Sequence, residues 1–346
     1  MSERPRIPAL DGLRACAVMA VVLGHAALSI PEPCAFWRRA FAFYPNAELG
    51  VHVFFVISGY LITHLLVVEL EESGAVDLRA FYVRRVRRIF PVFYAYIGVM
   101  AGAAALGWIA VSRVHLASAA AFAWNYKNLW DTSPGPGNWY VAHFWTLALE
   151  EQFYLVWPAV LACAGLRGGR RVAIGVVAAL PVVRAITYAT CPAMRAQLGM
   201  MFHTALDTIM VGCLFALCAR EVRGRVPAWL ALACAAWVLG VDPRLTARFA
   251  GRWQFTVGLT LRAACIAACM TWLIEHARSA ATRLLESRPF VHLGRISYSL
   301  YVWQQLVLVQ APFPANLVLA LCVAEVSFRV VETPFLTRRA RPADTP

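Results

Sequence analysis

The feature that most constrains this chain is a succession of apolar stretches, each close to the length that crosses a membrane. A crossing needs roughly 17–25 apolar residues, because the hydrocarbon core is about 30 Å thick. Ten stretches fit, the shortest of them 226–241: 10–30, 50–69, 89–111, 144–166, 171–189, 204–220, 226–241, 256–276, 290–310 and 315–333. The sequence therefore predicts an all-α, polytopic transmembrane helix bundle of about ten spanning helices.

Composition supports this fold class. Of the 346 residues, 60% are hydrophobic and 15% are charged, whereas a soluble domain carries about 45–50% and about 25%. These values exclude a soluble domain, a disordered chain and a small disulfide-stapled scaffold. We expect one integral-membrane domain over 1–346, with a short basic cytoplasmic tail at 335–346.

The formal net charge of +13 has a distribution that sets orientation. Most basic residues fall in six short clusters: 1–6, 79–88, 167–171, 220–225, 278–288 and 338–341. With ten spans and the N-terminus inside, all six face the cytoplasm, as the positive-inside rule requires. Both termini are then cytoplasmic. Because an eleventh crossing would reverse the later clusters, we expect 114–126 to be a re-entrant or interfacial helix in an outer loop.

Two ionisable residues lie on one face of the first predicted span. Arg14 and His25 are eleven residues apart, which is close to three helical turns and about 16 Å along the axis. Ionisable groups inside a span are costly and are candidates for function. The alternatives are that Arg14 extends to the membrane surface as an interface anchor and that His25 bonds a neighbouring helix.

A run of arginines precedes the third predicted span. Arg84, Arg85 and Arg88 belong to it, and the last two are spaced i, i+3 on one helical face. Arginine suits bidentate binding of phosphate, so the run is a candidate phosphate clamp at the cytoplasmic edge. Positive-inside charge is the alternative explanation. Nucleic acid is not an expected partner, because the basic clusters are short, scattered and without a binding fold.

The fourth predicted span carries two adjacent carboxylates, Glu150 and Glu151. Neighbouring side chains on a helix point about 100° apart, so at most one of them faces a given pocket. Proton exchange is the functional interpretation, and an ion pair with an arginine of another helix is the alternative. Three further intramembrane charges, Asp207, Arg262 and Glu325, are expected to be structural.

Cysteine and serine positions indicate less. The ten cysteines form no zinc-like CxxC pairs, and most lie in apolar runs. Cys34 and Cys191 fall in predicted outer loops, where a disulfide between them is conceivable. Ser58 lies in a step of small residues, whose expected role is close packing of helices.

The motifs together resemble the membrane acyltransferase-3 family, which comprises bacterial multi-pass enzymes that O-acylate mainly cell-surface carbohydrates. The likeness runs from residue 7 to residue 334. It rests on six motifs in the family's order: LDGLRACAVMAVVLGH, GVHVFFVISGYL, FYVRRVRRIFPVF, FWTLALEEQFYLVWP, ISYSLYVW and a final ETP. The resemblance implies the stand-alone form, without a C-terminal esterase-like domain.

The resemblance also implies roles for particular residues and a pair of substrates. It places the catalytic groups at His25, Arg14, Glu150 and Glu151, and donor binding at Arg85 and Arg88 beside Arg84. An acyl-CoA, most commonly acetyl-CoA, would approach from the cytoplasm, and a carbohydrate hydroxyl would accept the acyl group on the outer face. No metal or permanently bound cofactor is expected. Location in a bacterial cytoplasmic membrane is implied, with polysaccharide-assembly proteins left open as partners.

Three departures from the family pattern concern the acceptor side. Gln304 stands where many relatives have histidine, His52 where aspartate is common, and Ala205 where arginine is frequent. Two other functions stay open. Intramembrane Arg, His and Glu equally suit a transporter of a small metabolite or a proton-coupled solute, and an inactive scaffold is the third possibility. Whether His25 acts as general base or carries the acyl group is also open.

Overall fold

The structure is a computed structural model that describes residues 7–27, 47–129, 138–249 and 251–337. The basic cluster at 1–6, Cys34 with its predicted link to Cys191, and the tail from 338 onward lie outside these ranges. Within them the chain is helical, with no strand, as predicted.

The helices are numbered in chain order as α1 Pro8–Ala26, α2 Ala47–Ser73, α3 Leu78–Ala105, α4 Arg113–Ala120, α5 Asn138–Ala142, α6 Phe144–Thr190, α7 Phe202–Leu217, α8 Ala219–Val222, α9 Ala228–Ala236, α10 Asp242–Phe249, α11 Gly251–Trp253, α12 Leu259–Glu275, α13 Ala280–Leu285, α14 Arg288–Arg295, α15 Ser297–Leu308, α16 Ala315–Ser327 and α17 Thr333–Thr337. Short 3₁₀ helices cover Trp124–Leu129 and Pro192–Gln197, and π-helical turns cover Trp237–Val241, Gln254–Gly258 and Phe328–Glu332.

Among the described residues, seven helical stretches are long and apolar enough to cross a membrane: Pro8–Ala26, Ala47–Ser73, Leu78–Ala105, Trp139–Thr190, Pro192–Leu217, Ala228–Phe249 and Gly251–Glu275. The protein is therefore an all-helical, multi-pass membrane protein. The total of ten spans and the cytoplasmic location of both termini stay predictions.

One of the seven stretches contains two predicted spans. Helix α6 runs for 47 residues but breaks at Gly165, whose φ of 64° lies in the left-handed region that glycine tolerates. A Cβ on Gly169 would lie 2.3 Å from Leu161 Cδ2. A straight helix would keep these two residues about 12 Å apart along its axis. The two arms of α6 therefore fold back on each other, as 144–166 and 171–189 predict.

The apolar piece 114–126 does not form one spanning helix. Helix α4 covers eight residues, which is about 12 Å of rise, and a 3₁₀ helix follows from Trp124. The predicted short helix is present, and it is too short to cross the hydrocarbon core.

Local capping positions the helices that carry the arginines. Helix α1 begins at Pro8, in the first turn, where the missing N–H of proline costs nothing. Helix α3 begins after Asp77, whose side chain accepts a 2.9 Å hydrogen bond from the Ala80 amide. These two starts place Arg14 in the second turn of α1 and Arg85 in the third turn of α3.

Helices α2 and α7 cross with their backbones in contact. A Cβ on Gly59 would lie 2.0 Å from the Ile209 carbonyl oxygen, and one on Gly212 would lie 2.2 Å from the Val56 carbonyl oxygen. Glycine is therefore required on both sides of the crossing, as is common between membrane helices. The crossing holds α2 against the middle of the bundle.

Polar contacts gather the described basic clusters at one end of the bundle. The joining contacts are Arg220 to Glu71 at 3.0 Å, Arg170 to Glu221 at 2.6 Å, and the Gly224 amide to Glu275 at 3.1 Å. The cluster at 79–88 starts the helix that follows α2, and the cluster at 278–288 follows α12. One common end is the arrangement that a membrane orientation requires.

Candidate active site

A cavity of about 80 Å³ lies between α1, α2, α3, α6 and α15. We call it the arginine cavity, and its charged and hydroxyl-bearing lining includes Arg14, Ser58, Arg85, Arg88, Thr146 and Glu150. It unites three of the predicted arginines with one of the two predicted carboxylates. The i, i+3 pair on α3 therefore faces the same space as Arg14 of α1.

The three arginines of this cavity have no acidic partner among the described residues. The Nε atoms of Arg14 and Arg85 are buried and make no hydrogen bond there. Arg85 instead lies near the rings of Phe81 and Tyr154, with centroids at 5.5 and 5.2 Å from its guanidinium carbon. Buried donors without acceptors are rare in native proteins. The arrangement suits an anionic ligand.

Ser58 has a different position from the one expected. It lines the arginine cavity and donates a 2.7 Å hydrogen bond to Glu150 Oε1. The close helix contact expected at this step of small residues falls on the adjacent Gly59, which meets α7, while the Ser58 side chain faces the cavity. A one-residue step on a helix turns the side chain by about 100°.

Only one of the two adjacent carboxylates of α6 lines the arginine cavity, and one of the three candidate arginines of α3 lies outside it. Glu150 lines the arginine cavity, whereas Glu151 lines neither cavity and its buried Oε1 has no hydrogen bond among the described residues. Arg84 also lies outside: its side chain is 51% exposed and approaches Glu69 at 3.7 Å. Arg84 is therefore not brought to the cavity with Arg85 and Arg88.

A second cavity, of about 380 Å³, contains His25. We call it the histidine cavity, and its polar lining comprises His25, Glu48, His52, His143, Gln254, Tyr301 and Gln305. Aromatic and small apolar side chains complete the wall. His25 and Arg14 thus share a helix but line different cavities, as three turns of separation require.

His25 has a partner from a distant part of the chain. Its Nδ1 lies 2.9 Å from Oε1 of Gln304, and its ring meets that of Trp139 edge-on at 5.5 Å. An amide oxygen only accepts hydrogen bonds, so with this amide orientation Nδ1 carries the hydrogen. The other ring nitrogen, Nε2, is then able to accept a proton. In the sequence Gln304 is only a departure from the family pattern, because its contact with His25 spans 279 positions.

Val51 and Tyr301 line both cavities. The hydroxyl of Tyr301 donates to the His143 carbonyl oxygen at 2.8 Å and lies 2.6 Å from Thr146 Oγ1. Tyr301 is thus fixed at the boundary, with the arginines on one side and His25 on the other.

Arg262 is structural, as expected. It also binds Glu48, a residue of the histidine cavity that sequence reasoning missed. Its Nε donates to Asp242 at 2.6 Å, and Nη1 donates to Glu48 at 2.9 Å and to Nδ1 of His52 at 3.0 Å. His52 therefore binds this guanidinium as a neutral acceptor, while Glu48, one turn earlier on α2, supplies a carboxylate. The sequence signal that could have identified Glu48 is its position as a lone acid just before the predicted span 50–69.

Two other intramembrane acids form ion pairs. Asp207 makes a two-pronged, fully buried pair with Arg184, at 2.6 and 2.9 Å. The arginine partner therefore comes from α6, although Ala205 replaces the arginine frequent in the family. Glu325 pairs with Arg329 and with His292. Neither acid lines a cavity. No group of three His, Cys, Asp or Glu in the described part is placed to hold a metal ion.

The fold and the two cavities define a class: a multi-pass membrane protein with an arginine-lined pocket that adjoins a pocket containing a histidine. Comparison with known proteins assigns the family. The acyltransferase-3 family model, described as an acyltransferase domain, matches residues 7–311. The chain belongs to the acyltransferase-3 family.

Curated relatives carry related names. The chain is 27% identical over 380 residues to the O-acetyltransferase OatA of Staphylococcus aureus. That alignment covers 95% of this chain and 57% of the relative. It is 26% identical over 373 residues to the peptidoglycan O-acetyltransferase OatA of Listeria monocytogenes, in an alignment that covers 96% of this chain and 56% of the relative. The chain therefore spans little more than half the length of these relatives. No solved structure matches it.

Proposed function

We propose that the protein is a membrane O-acetyltransferase that moves an acyl group, most commonly acetyl, from cytoplasmic acyl-CoA to a carbohydrate hydroxyl. The observation that carries the proposal is the adjacency of the two cavities. Three arginines that have no acidic partner in the described part of the chain line one of them, and His25 lines the other. Family membership and the names of the relatives support the same reaction class.

The arginine cavity suits the phosphate-bearing donor. Acyl-CoA carries its phosphates on the adenine nucleotide and its thioester at the far end of the pantetheine arm, so the arginines mark the nucleotide end of the donor. We therefore place the adenine nucleotide at the mouth of the bundle, with Arg85 and Arg88 on its phosphates through charge-assisted hydrogen bonds. The pantetheine arm passes Arg14 toward Tyr301. Arg84 acts only from the surface, by attracting the anionic donor.

His25 supplies the proton transfer. Nε2 takes the proton of the acceptor hydroxyl, the oxygen attacks the thioester carbonyl, and the carbon–sulfur bond breaks. The CoA thiolate leaves and recovers the proton from the imidazolium, so the protein ends unchanged. Histidine suits the task because its ordinary pKa is about 6.5. Transfer through an acyl-histidine uses the same residue, and this variant stays open.

The two carboxylates have separate tasks in this proposal. Glu150, which accepts a hydrogen bond from Ser58, balances part of the positive charge of the arginine cavity. Glu151, which lies outside both cavities, belongs to a proton path. No metal or permanently bound cofactor takes part.

The same proposal includes location and partners. The chain spans a bacterial cytoplasmic membrane about ten times with both termini in the cytoplasm, and the histidine cavity opens toward the outer face. The acceptor is a cell-surface or lipid-linked carbohydrate, in keeping with the peptidoglycan named for the Listeria relative. Polysaccharide-assembly proteins are candidate partners.

Purified protein in proteoliposomes with radiolabelled acetyl-CoA and an acceptor glycan tests the function. We expect acetyl transfer, and we expect His25→Ala to lower it at least about 100-fold, the scale of general acid–base catalysis. His276→Ala is the matched control, because His276 is exposed and bonds only the Trp272 carbonyl oxygen among described partners.

Two outcomes contradict the proposal. If the wild-type protein moves a solute across the vesicle membrane and transfers no acetyl group, the transporter alternative replaces it. If His25→Ala leaves acetylation of the surface glycan unchanged by NMR, the role of His25 is wrong, even where transfer occurs.

A further inference from the structure

One part of the histidine cavity wall takes no part in the proposed chemistry. Glu48 lies there, on the first turn of α2, with its side chain 32% exposed. Its Oε1 accepts hydrogen bonds from Arg262 Nη1 at 2.9 Å and from the side-chain amide of Gln254. Its Oε2 is neither buried nor bonded within the described residues. The carboxylate is therefore held by one oxygen and presents the other.

The support behind Glu48 is rigid and buried. Arg262 is 4% exposed and does not line the cavity, and its Nε is bound at 2.6 Å by Asp242. The indole of Trp253 donates to the other oxygen of Asp242 at 2.9 Å. One guanidinium thus faces two carboxylates, so the cluster keeps a net negative charge. Preorganisation of this kind is what a binding group requires.

The rest of the wall suits a sugar. Trp124, Trp145 and Phe255 provide aromatic surface, and Gln254 and Gln305 provide amides. Aromatic rings bind the apolar faces of pyranose rings, while carboxylates and amides bind their hydroxyls, so the combination is a pocket lined by apolar surface with a few placed polar groups.

Charge separates this wall from the arginine cavity. Glu48 is the one acid among the described residues that line the histidine cavity, and no arginine or lysine lines it. A free carboxylate oxygen accepts hydrogen bonds and repels another anion. The wall therefore favours ligands that donate hydroxyl or amide N–H groups and disfavours ligands that carry carboxylates or phosphates.

We propose that Glu48, held by Arg262, is an acceptor-binding residue that selects uncharged sugars with hydroxyl or amide N–H donors and rejects anionic ones. The inference rests on the proposed function, which requires an acceptor in this cavity. It adds the chemical class of that acceptor and the residue that selects it.

Saturation-transfer NMR on the protein in lipid nanodiscs tests this directly, because it reports weak sugar binding without turnover. The probes are the uncharged trimer of N-acetylglucosamine and the anionic trimer of galacturonic acid. We expect the wild type to bind the uncharged trimer more tightly. Glu48→Gln should weaken that binding roughly tenfold, the scale of one hydrogen bond to a charged group, and should strengthen binding of the anionic trimer.

Glu325→Gln is the matched control, since Glu325 is also ion-paired, is 25% exposed and lies outside both cavities. Binding of labelled CoA and the unfolding temperature verify that Glu48→Gln is folded, and Glu48→Asp serves if it is not. A folded Glu48 variant with opposite changes for the two trimers supports the inference, because general destabilisation moves both in the same direction.

The inference is overturned if the wild type binds the galacturonic trimer as tightly as the uncharged one, binds neither trimer, or loses nothing in Glu48→Gln. Failure of the proposed function has a different signature. In that case the protein binds no CoA and transfers no acetyl group, whatever residue stands at position 48.

Discussion

The arginine cavity and the histidine cavity share two wall residues and differ in size and charge. The first holds about 80 Å³ and is lined by three arginines and one glutamate. The second holds about 380 Å³, and Glu48 is the charged group among its described lining apart from the histidines. Under the proposed function, this difference sorts the two substrates by charge: the anionic donor goes to the first cavity and the uncharged acceptor to the second.

The two cavities also hold their charges differently. The arginines of the first have no acidic partners among the described residues, whereas the carboxylate of the second is bound to Arg262. Cations without partners attract a strongly charged ligand such as phosphate, since each loses water without compensation until the ligand binds. A carboxylate already bound to one guanidinium binds its ligand more weakly, and it favours ligands that donate hydrogen bonds over anions.

Blocking the boundary gives the largest expected effect. Val51 lines both cavities and is 6% exposed, so Val51→Phe fills the space between donor and acceptor. We expect acetyl transfer to fall at least about 100-fold, because a displacement of about 1 Å in reacting groups has that effect. Binding of labelled CoA should fall far less than transfer, because Arg85 and Arg88 hold its phosphates away from the boundary. Equal loss of both would mean that Val51→Phe blocks donor binding and not the passage between the two cavities.

Removing charge from the arginine cavity comes next. The double variant Arg85→Gln, Arg88→Gln should raise the KM for acetyl-CoA roughly 100-fold, because each charged hydrogen bond contributes about 1.5–3 kcal/mol. The KM for the acceptor should not change. Arg84→Gln is the control and should alter the KM by less than about twofold, since its exposed contact with Glu69 is weak. A larger acceptor effect than donor effect would reverse our assignment.

A smaller effect is expected from the residue that orients the proposed base, Gln304. Gln304→Leu removes the acceptor for His25 Nδ1–H, so the ring loses its preferred tautomer. We expect kcat to fall roughly tenfold, the lower end for groups that orient a ligand or base, with CoA binding unchanged. Gln304→Glu keeps an acceptor oxygen and should retain more activity. Nitrogen chemical shifts of His25 report the tautomer, and unchanged shifts in the leucine variant would refute this role.

The smallest effect is expected from Ser58. Ser58→Ala removes one 2.7 Å hydrogen bond to Glu150, and only part of that loss reaches the donor, because Glu150 lies beside the phosphate-binding arginines and does not itself bind phosphate. The KM for acetyl-CoA should rise roughly fivefold. Ser73→Ala, at the exposed end of the same helix, bonds only backbone carbonyls among its described partners and should have no effect. A Ser58 effect on the acceptor alone would move Glu150 to the acceptor side.

Much of the fold and part of the site followed from local patterns. The apolar stretches predicted the helical class, and the helical repeat placed Arg85 and Arg88 on one face, where both line the arginine cavity. The helical rise of about 1.5 Å per residue placed Arg14 and His25 at different depths, where they line different cavities. These predictions succeed because periodicity within one helix is a property of the helix alone.

Other assignments needed the packing of several helices. Ser58 and Gly59 are neighbours in one motif, and only the position of α7 shows which of them faces it. Glu150 and Glu151 present the same difficulty, since either could have faced the arginines. The fold-back at Gly165, by contrast, agrees with the two spans predicted on either side of it.

By itself the sequence determined an all-helical membrane protein, the basic clusters that the structure gathers at one end within its described residues, and the motifs of an acyltransferase. The tertiary structure decided which polar groups meet: His25 with Gln304, and Glu48 with Arg262 across 214 positions. The physical reason is that a helix sequence specifies which residues share a face. The partner of that face depends on how the helices cross, and that is set by packing over the whole bundle.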